Sequence, residues 1–162
     1  MELNHDERKI CNFYAGPGHL VTSLVNFVET DKMNEKEVLL ISEYDEEQLL
    51  LRFNNSIDSV YSNLIKRINF CNMSRAVEKL IQLKQNSKEL KIILVGEVDY
   101  IENNEKIIEE ELKNQTYTLL NCYEIFSCKK DISKILNKYK YILNCSGVFE
   151  VDKVFNDIKC IV

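Results

Sequence analysis

Apolar residues along this chain fall into two interleaved patterns: short, mostly apolar runs, and stripes at helical spacing. The runs are Ile10-Cys-Asn-Phe-Tyr14, Val38-Leu-Leu-Ile41, Ile92-Ile-Leu-Val95, Thr118 to Phe126 and Tyr141 to Cys145. Continuous Ile, Leu and Val is what a parallel strand needs when helices cover both of its faces. Between the runs, Leu20, Leu24, Phe27 and Val28 recur at helical spacing, widened by Val21 and Val25, with Asn34, Glu35 and Lys36 closing this first βα unit.

The same reading predicts a helix from Glu46 to Phe53 and a loop over residues 54–59. Ile65 to Phe70 alternates apolar and polar residues, as an edge or half-buried strand does. Ser74 is expected to cap a helix with Val77, Leu80, Ile81 and Leu83 inward. A further helix follows Asn103 and Asn104, with Ile107, Ile108 and Leu112 inward and Glu105, Glu109 and Glu110 outward. Asp131 is expected to cap another, carrying Ile132, Ile135, Leu136 and Tyr139. Residues 148–162 form a tail in which Val151, Val154, Phe155 and Ile158 have helical spacing, a packing element.

Strands alternating with helices imply right-handed crossovers and a mostly parallel sheet between helix layers. The predicted fold class is therefore α/β, a three-layer α/β/α arrangement. At 162 residues the chain is expected to be a single domain over 1–162, with its core in about 7–150. In open α/β sheets, ligands bind outside the carboxyl ends of the strands. The segment Lys91-Ile-Ile-Leu-Val-Gly-Glu-Val-Asp-Tyr100 puts Gly96, Glu97 and Asp99 there, and Glu43-Tyr-Asp45 occupies the same place after the second run.

Charge narrows the partners. A formal net charge of −5 with scattered Lys and Arg argues against nucleic acid, whose backbone is bound by clustered cations. The longest apolar runs are far short of the ~20 residues a membrane helix needs, so no membrane is expected. The acidic start Met1-Glu-Leu-Asn-His-Asp-Glu7 is unlike a secretory leader, which gives a cytoplasmic expectation. The six cysteines include no C-x-x-C pair, and His5 and His19 lie far from any cysteine pair, so no metal is expected; with no secretory leader and a domain large enough to do without bridges, no disulfide framework is expected either. Cys11, Cys122 and Cys145 sit in apolar segments, where a free thiol is usually a small hydrophobe.

Ala15-Gly-Pro-Gly-His-Leu-Val-Thr22 occupies the position of a phosphate loop but lacks the Lys that reaches the terminal phosphates in G-x-x-x-x-G-K-[ST]. Its helix end can receive an anion near His19, or the segment is a plain tight turn. Glu97 and Asp99 are open to a metal or acid–base role, to loop capping, and to a polar contact with a ligand; alternation turns both the same way if the strand continues that far. Cys122 paired with His19 or His5 is a weak nucleophile signal beside core packing. Tyr14, Tyr44, Tyr100 and Tyr123 all fall at expected strand ends. They either line a pocket with hydroxyl handles or edge the core.

Arg8-Lys-Ile-Cys-Asn-Phe-Tyr14, Leu94-Val-Gly-Glu-Val-Asp-Tyr100, Asn121-Cys-Tyr-Glu-Ile-Phe126 and Tyr141-Ile-Leu-Asn-Cys-Ser-Gly147 together resemble the MEDS domain, the methanogen/methylotroph DcmR-type sensory domain, in order from about Glu7 to Glu150. The family-like positions are Cys11, Phe13 and Tyr14, then Gly96 and Glu97, then Cys122, Tyr123 and Phe126. Lys9 stands where the family often has His, Glu124 where it has Asp, and the Trp that usually follows Gly-Glu is missing. The resemblance implies a RecA-like fold without a functional phosphate loop, no cofactor, and a sensory role rather than turnover. It implies a small-molecule ligand and a signalling protein partner, such as a histidine kinase or a transcription regulator, or a second copy of the chain. The expected ligand-binding residues are Tyr14, His19, Glu43, Glu97, Asp99, Tyr100, Cys122, Tyr123 and Glu124, with no catalytic residue. The competing readings are an interaction-only adaptor and a nucleotide-dependent enzyme using Glu97 and Asp99.

Overall fold

The structure is a computed structural model of the chain, and it describes residues 9–29, 37–55, 68–85 and 89–159. The apolar runs become β1 (Lys9–Tyr14), β2 (Glu37–Ser42), β4 (Leu90–Gly96), β5 (Tyr117–Glu124) and β6 (Tyr141–Asn144), joined by β3 (Ile68–Cys71) and β7 (Gly147–Glu150). They form one seven-stranded sheet in the order β3-β2-β4-β5-β1-β6-β7. All pairings are parallel except that of β6 with β7. The helices are α1 (Pro17–Glu29), α2 (Glu46–Asn55), α3 (Met73–Lys84), α4 (Val98–Glu111), α5 (Ile132–Leu136) and α6 (Val151–Lys159). This is the three-layer α/β/α fold expected from the sequence.

Strand alternation sends consecutive side chains to opposite faces and so builds two cores. On one face Cys11, Ile41, Ile92, Leu94, Leu119 and Tyr123 pack with Leu80 of α3, Ile101 and Ile108 of α4 and Ile135 of α5. On the other, Ile10, Tyr14, Leu40, Ile93, Val95, Leu120 and Cys122 meet Leu20, Leu24, Phe27 and Val28 of α1 and Leu49 of α2. Every residue of β4 is buried, as a strand covered by two helix layers must be.

Lys91 looks out of place in that strand, yet it has a structural task. Its Nζ donates to the Phe27 carbonyl at 2.6 Å and lies 4.7 Å from the centre of the Phe27 ring. Its charge therefore meets the negative end of α1, whose last turn carries no basic residue of its own.

Several boundaries differ from the sequence expectations. The helix after β3 is capped by Asn72, whose side chain accepts from Arg75 N at 3.1 Å, while the Ser74 hydroxyl donates to that same Asn72 oxygen. Its buried face is Ala76, Leu80 and Leu83, and Ile81 is exposed. Pro17 already starts α1, in keeping with its preset φ, so the turn after β1 is only Ala15 and Gly16. Asn54 and Asn55 belong to α2, and α5 ends at Leu136, before Tyr139. Asp131 stands at its cap position without a side-chain capping bond.

The tail contains a strand that periodicity did not predict. Gly147 takes φ +131°, a conformation that favours glycine, and reverses the chain so that β7 pairs back onto β6. Cys145 lies exposed in that turn rather than in the core. The closing units at residues 34–36, 56–59, 65–67 and 160–162 lie outside the described residues. Among the described residues, no helix is long and apolar enough to cross a membrane.

Candidate functional site

The carboxyl end of the sheet is shaped by one close approach. β4 stops at Gly96, where an added Cβ would come within 2.6 Å of the Tyr100 ring and 2.9 Å of Glu43 Oε2. Through that gap Glu43 Oε2 accepts the backbone N–H of Glu97 at 2.8 Å, and Glu43 N donates to Val95 O at 3.0 Å. The loop after β2 is thus latched to the first residue beyond β4. A single residue then separates strand from helix: Glu97 sits at the N-cap of α4 with extended backbone and makes no side-chain capping bond.

That geometry corrects the expected strand continuation. Asp99 and Tyr100 lie in the first turn of α4, so alternation does not turn Glu97 and Asp99 the same way. The helix begins before Asn103, and Asn104 is buried inside it, donating to Tyr100 O at 2.8 Å. Ile107, expected inward, is exposed.

A cavity of about 350 Å³ opens at this end of the sheet, on the α1 face. Tyr14 from β1, Tyr44 after β2, Glu97 after β4 and Glu124 from β5 line it, with Pro17, Leu20 and Leu49 as apolar wall. Tyr14 and Tyr44 are hydrogen-bonded through their side chains. The Tyr44 backbone N–H donates to Ser42 Oγ at 2.9 Å and Glu124 Oε2 accepts from Ser127 Oγ at 3.0 Å, so both rim residues are held from behind. Burial pushes the Tyr44 phenol up, and the carboxylates of Glu97, Glu124 and Glu43 push it further. Tyr14 is raised more strongly, first by burial.

Two neighbouring hollows share this ledge. One, of about 640 Å³, lies at the ends of β2 and β3 and has Glu43 and Asp45 in its lining; Tyr44 and Leu49 separate it from the first. The other, of about 380 Å³, contains Asp99, Glu102, Asp131, Lys134 and Lys138 and meets the first at Glu97. The Lys138 amine pairs with Glu102, and that hydrogen bond holds the Glu102 carboxyl below its usual range.

Of the residues expected to bind a ligand, Tyr14, Glu97 and Glu124 come together, with Glu43 and Asp99 in the adjoining hollows. His19 is exposed on α1, and its Nδ1 accepts the Ala15 N–H at 3.1 Å, which closes the turn rather than facing the cavity. Cys122 is fully buried beneath the rim, and burial drives its thiol well above the ordinary value. Tyr100 packs against the other core, and burial raises its phenol to about 12. Cys11 and Cys122 belong to cores on opposite faces of the sheet, so they do not face one another.

Tyr123 also lies on the opposite face, within a polar network that hydrophobic periodicity did not reveal. Its hydroxyl is 2.8 Å from that of Tyr139, which accepts from Asn121 Nδ2 at 2.6 Å. Asn121 also donates to Glu105, and Glu105 and Glu109 both receive the Lys9 ammonium. Burial pulls Lys9 down, but the two carboxylates outweigh it and hold the ammonium above its ordinary value. Glu105 and Glu109 were expected to point outward. Asn121, a polar residue inside an apolar run and wholly buried, was the available signal, since a buried amide requires partners.

Chemically, the rim cavity offers an apolar wall, two aromatic rings with hydroxyls, and carboxylates. Its volume lies at the low end of the range of small-molecule sites. No His, Lys or Cys lines it. Among the described residues, no group of three or more His, Cys, Asp or Glu side chains is arranged to hold a metal ion. Compared with protein-family models, curated proteins and solved structures, the chain matches none.

Proposed function

We propose that this chain is a non-enzymatic sensory or regulatory domain, of the MEDS kind its sequence resembles, that binds a small molecule at the rim cavity and signals through a protein partner in the cytoplasm. The observation that carries this reading is the cavity lined by Tyr14, Tyr44, Glu97 and Glu124, where four chain segments meet at the carboxyl ends of the strands. Those segments belong to both halves of the sheet, so a ligand held there changes their relative cost of movement and can alter a surface that a partner reads. The partner in this reading is a signalling protein such as a histidine kinase or transcription regulator, or a second copy of the chain. Phenols whose pKa is raised, together with carboxylates and no paired base, suit holding a molecule better than converting it.

Thermal-shift screening against a metabolite library tests this. At least one compound is expected to raise the melting temperature, by an amount that grows with concentration as binding to the folded state requires. Tyr44→Trp, confirmed folded by circular dichroism, is expected to abolish the shift by filling the cavity mouth. No stabilising compound, or stabilisation unchanged in Tyr44→Trp, overturns the reading.

A further inference from the structure

The chemistry of the rim cavity narrows what it can take. We propose that its ligand is an organic cation, a protonated amine carried on a short apolar or aromatic body. This rests on the reading of the cavity as a small-molecule site and names the ligand class for it.

Three features of the wall point the same way. The charged side chains among the lining residues are Glu97 and Glu124, both carboxylates. Tyr14 and Tyr44 add ring faces, which attract cations, and hydroxyls able to accept from an ammonium. Pro17, Leu20 and Leu49 supply an apolar surface that water leaves at a gain. A bare metal ion has no use for that surface, and the carboxylates do not converge with a third ligand to coordinate one.

An anion is disfavoured at the same place. The amino end of α1, which sequence reading offers to an anion, begins with Pro17, which has no N–H, and the preceding Ala15 N–H is taken by His19 Nδ1. Any anion in the cavity would also face Glu97 and Glu124. Neither carboxylate is spent on a lysine or arginine in the structure's ion pairs among described residues; Glu124 accepts from Ser127, and Glu97 makes no capping bond. Both remain able to receive a ligand's ammonium, and charge-assisted hydrogen bonds of that kind are the strong ones.

The test is a matched series on one skeleton, phenethylamine, 2-phenylethanol and phenylacetate, together with butane-1,4-diamine, titrated into the whole chain by calorimetry and by ¹⁵N-resolved NMR. Phenethylamine is expected to bind about tenfold or more tighter than the alcohol, the scale of one charged hydrogen bond, with phenylacetate weakest. The amides of Tyr14, Tyr44 and Glu124 are expected to move. The double variant Glu97→Gln/Glu124→Gln, checked for an unchanged far-UV spectrum, is expected to lose that preference.

Equal or tighter binding of the alcohol or the acid overturns the cation inference while leaving the cavity reading intact. Amine binding that survives the double variant, or that moves amides elsewhere, overturns it as well. Binding by none of the four overturns it too, and the library screen then decides separately whether the cavity takes any ligand.

Discussion

The two faces of the sheet handle polar groups differently. On the α4 face, Lys9, Glu105, Glu109, Asn121, Tyr123 and Tyr139 bond to one another along a hollow of about 340 Å³, with the Asn121 side-chain oxygen left without a partner. On the α1 face, Tyr14, Tyr44, Glu97 and Glu124 line a cavity of similar size whose lining carries no cation. Polar groups that spend their hydrogen bonds on each other stabilise and position; groups that hold charge toward an opening are available to something else. The tyrosines make the contrast concrete. Tyr14 in β1 pairs in register with Glu124 and Phe13 with Tyr123, so the two tyrosines necessarily fall on opposite faces.

The largest effect expected from breaking this contrast is on the bonded side. Glu105→Ala takes one of two carboxylates from the Lys9 ammonium and one of two acceptors from the Asn121 amide, which should lower stability by about 2 kcal/mol in urea unfolding. The figure sits below that of a fully buried pair because the Lys9 side chain keeps 20% of its exposure. Glu97→Ala at the open rim should cost under about 0.5 kcal/mol. Similar losses from both would mean that the rim is as structural as the network.

Legibility from sequence follows the same division. The strands were readable because burial on both faces leaves an unbroken apolar run, as in β4. The start of α4 was not, because Val98 prolongs the apolar pattern past Gly96 while the reason for the break, the approach of Glu43, lies far away in the chain. Tyr123 and Glu124 are adjacent in β5 and therefore point apart, which sequence alone could show. Which of them shares the face of Tyr14 depends on the β1–β5 register, and that arises only on folding. For Glu105 and Glu109, a charged helix face reads as solvated unless Lys9 is known to lie across it.

Alkaline pH should separate Tyr139 from Tyr44 next. Burial raises the Tyr123 and Tyr139 phenols in the native state, while in the unfolded chain they ionise near ~10. A raised native value means full stability below the unfolded pKa and a progressive loss above it. Each phenol kept neutral therefore costs about 1.4 kcal/mol per pH unit beyond ~10. Lys9 adds to the loss in the same direction, since its native value is raised above 10.5: its contribution is complete below that pH and disappears as pH rises through the native value. Urea midpoints between pH 9 and 11 should fall less steeply in Tyr139→Phe than in wild type. Tyr44→Phe, at the half-buried rim, should change the slope less.

Gly96 couples the two regions, and its substitution should have an intermediate effect. An alanine methyl must displace the Tyr100 ring on one side and the Glu43 carboxylate on the other, at a cost of about 1–2 kcal/mol, in the range of overpacked cores. If Glu43 gives way, the Glu97 N–H loses its acceptor. The Gly96→Ala spectrum should then show the Glu97 amide shifted while the Asn121 side-chain amide stays in place. Movement of both would mean that the latch and the network are one unit.

The smallest effect is the most informative about the open side. Glu124→Gln removes one of the carboxylates that raise Tyr44 and keeps an oxygen to accept from Ser127 Oγ, so stability should change by less than about 0.5 kcal/mol. The Tyr44 phenol should nevertheless move down toward its ordinary value, because a like charge that opposed phenolate has gone. Ultraviolet difference titration of the variant against wild type, with Tyr44→Phe to assign the signal, reads that movement directly. A lowered phenol at unchanged stability is the signature of a charge that no other side chain depends on, since in the Lys9–Glu105–Asn121 network a carboxylate cannot be neutralised without also disturbing the groups bonded to it.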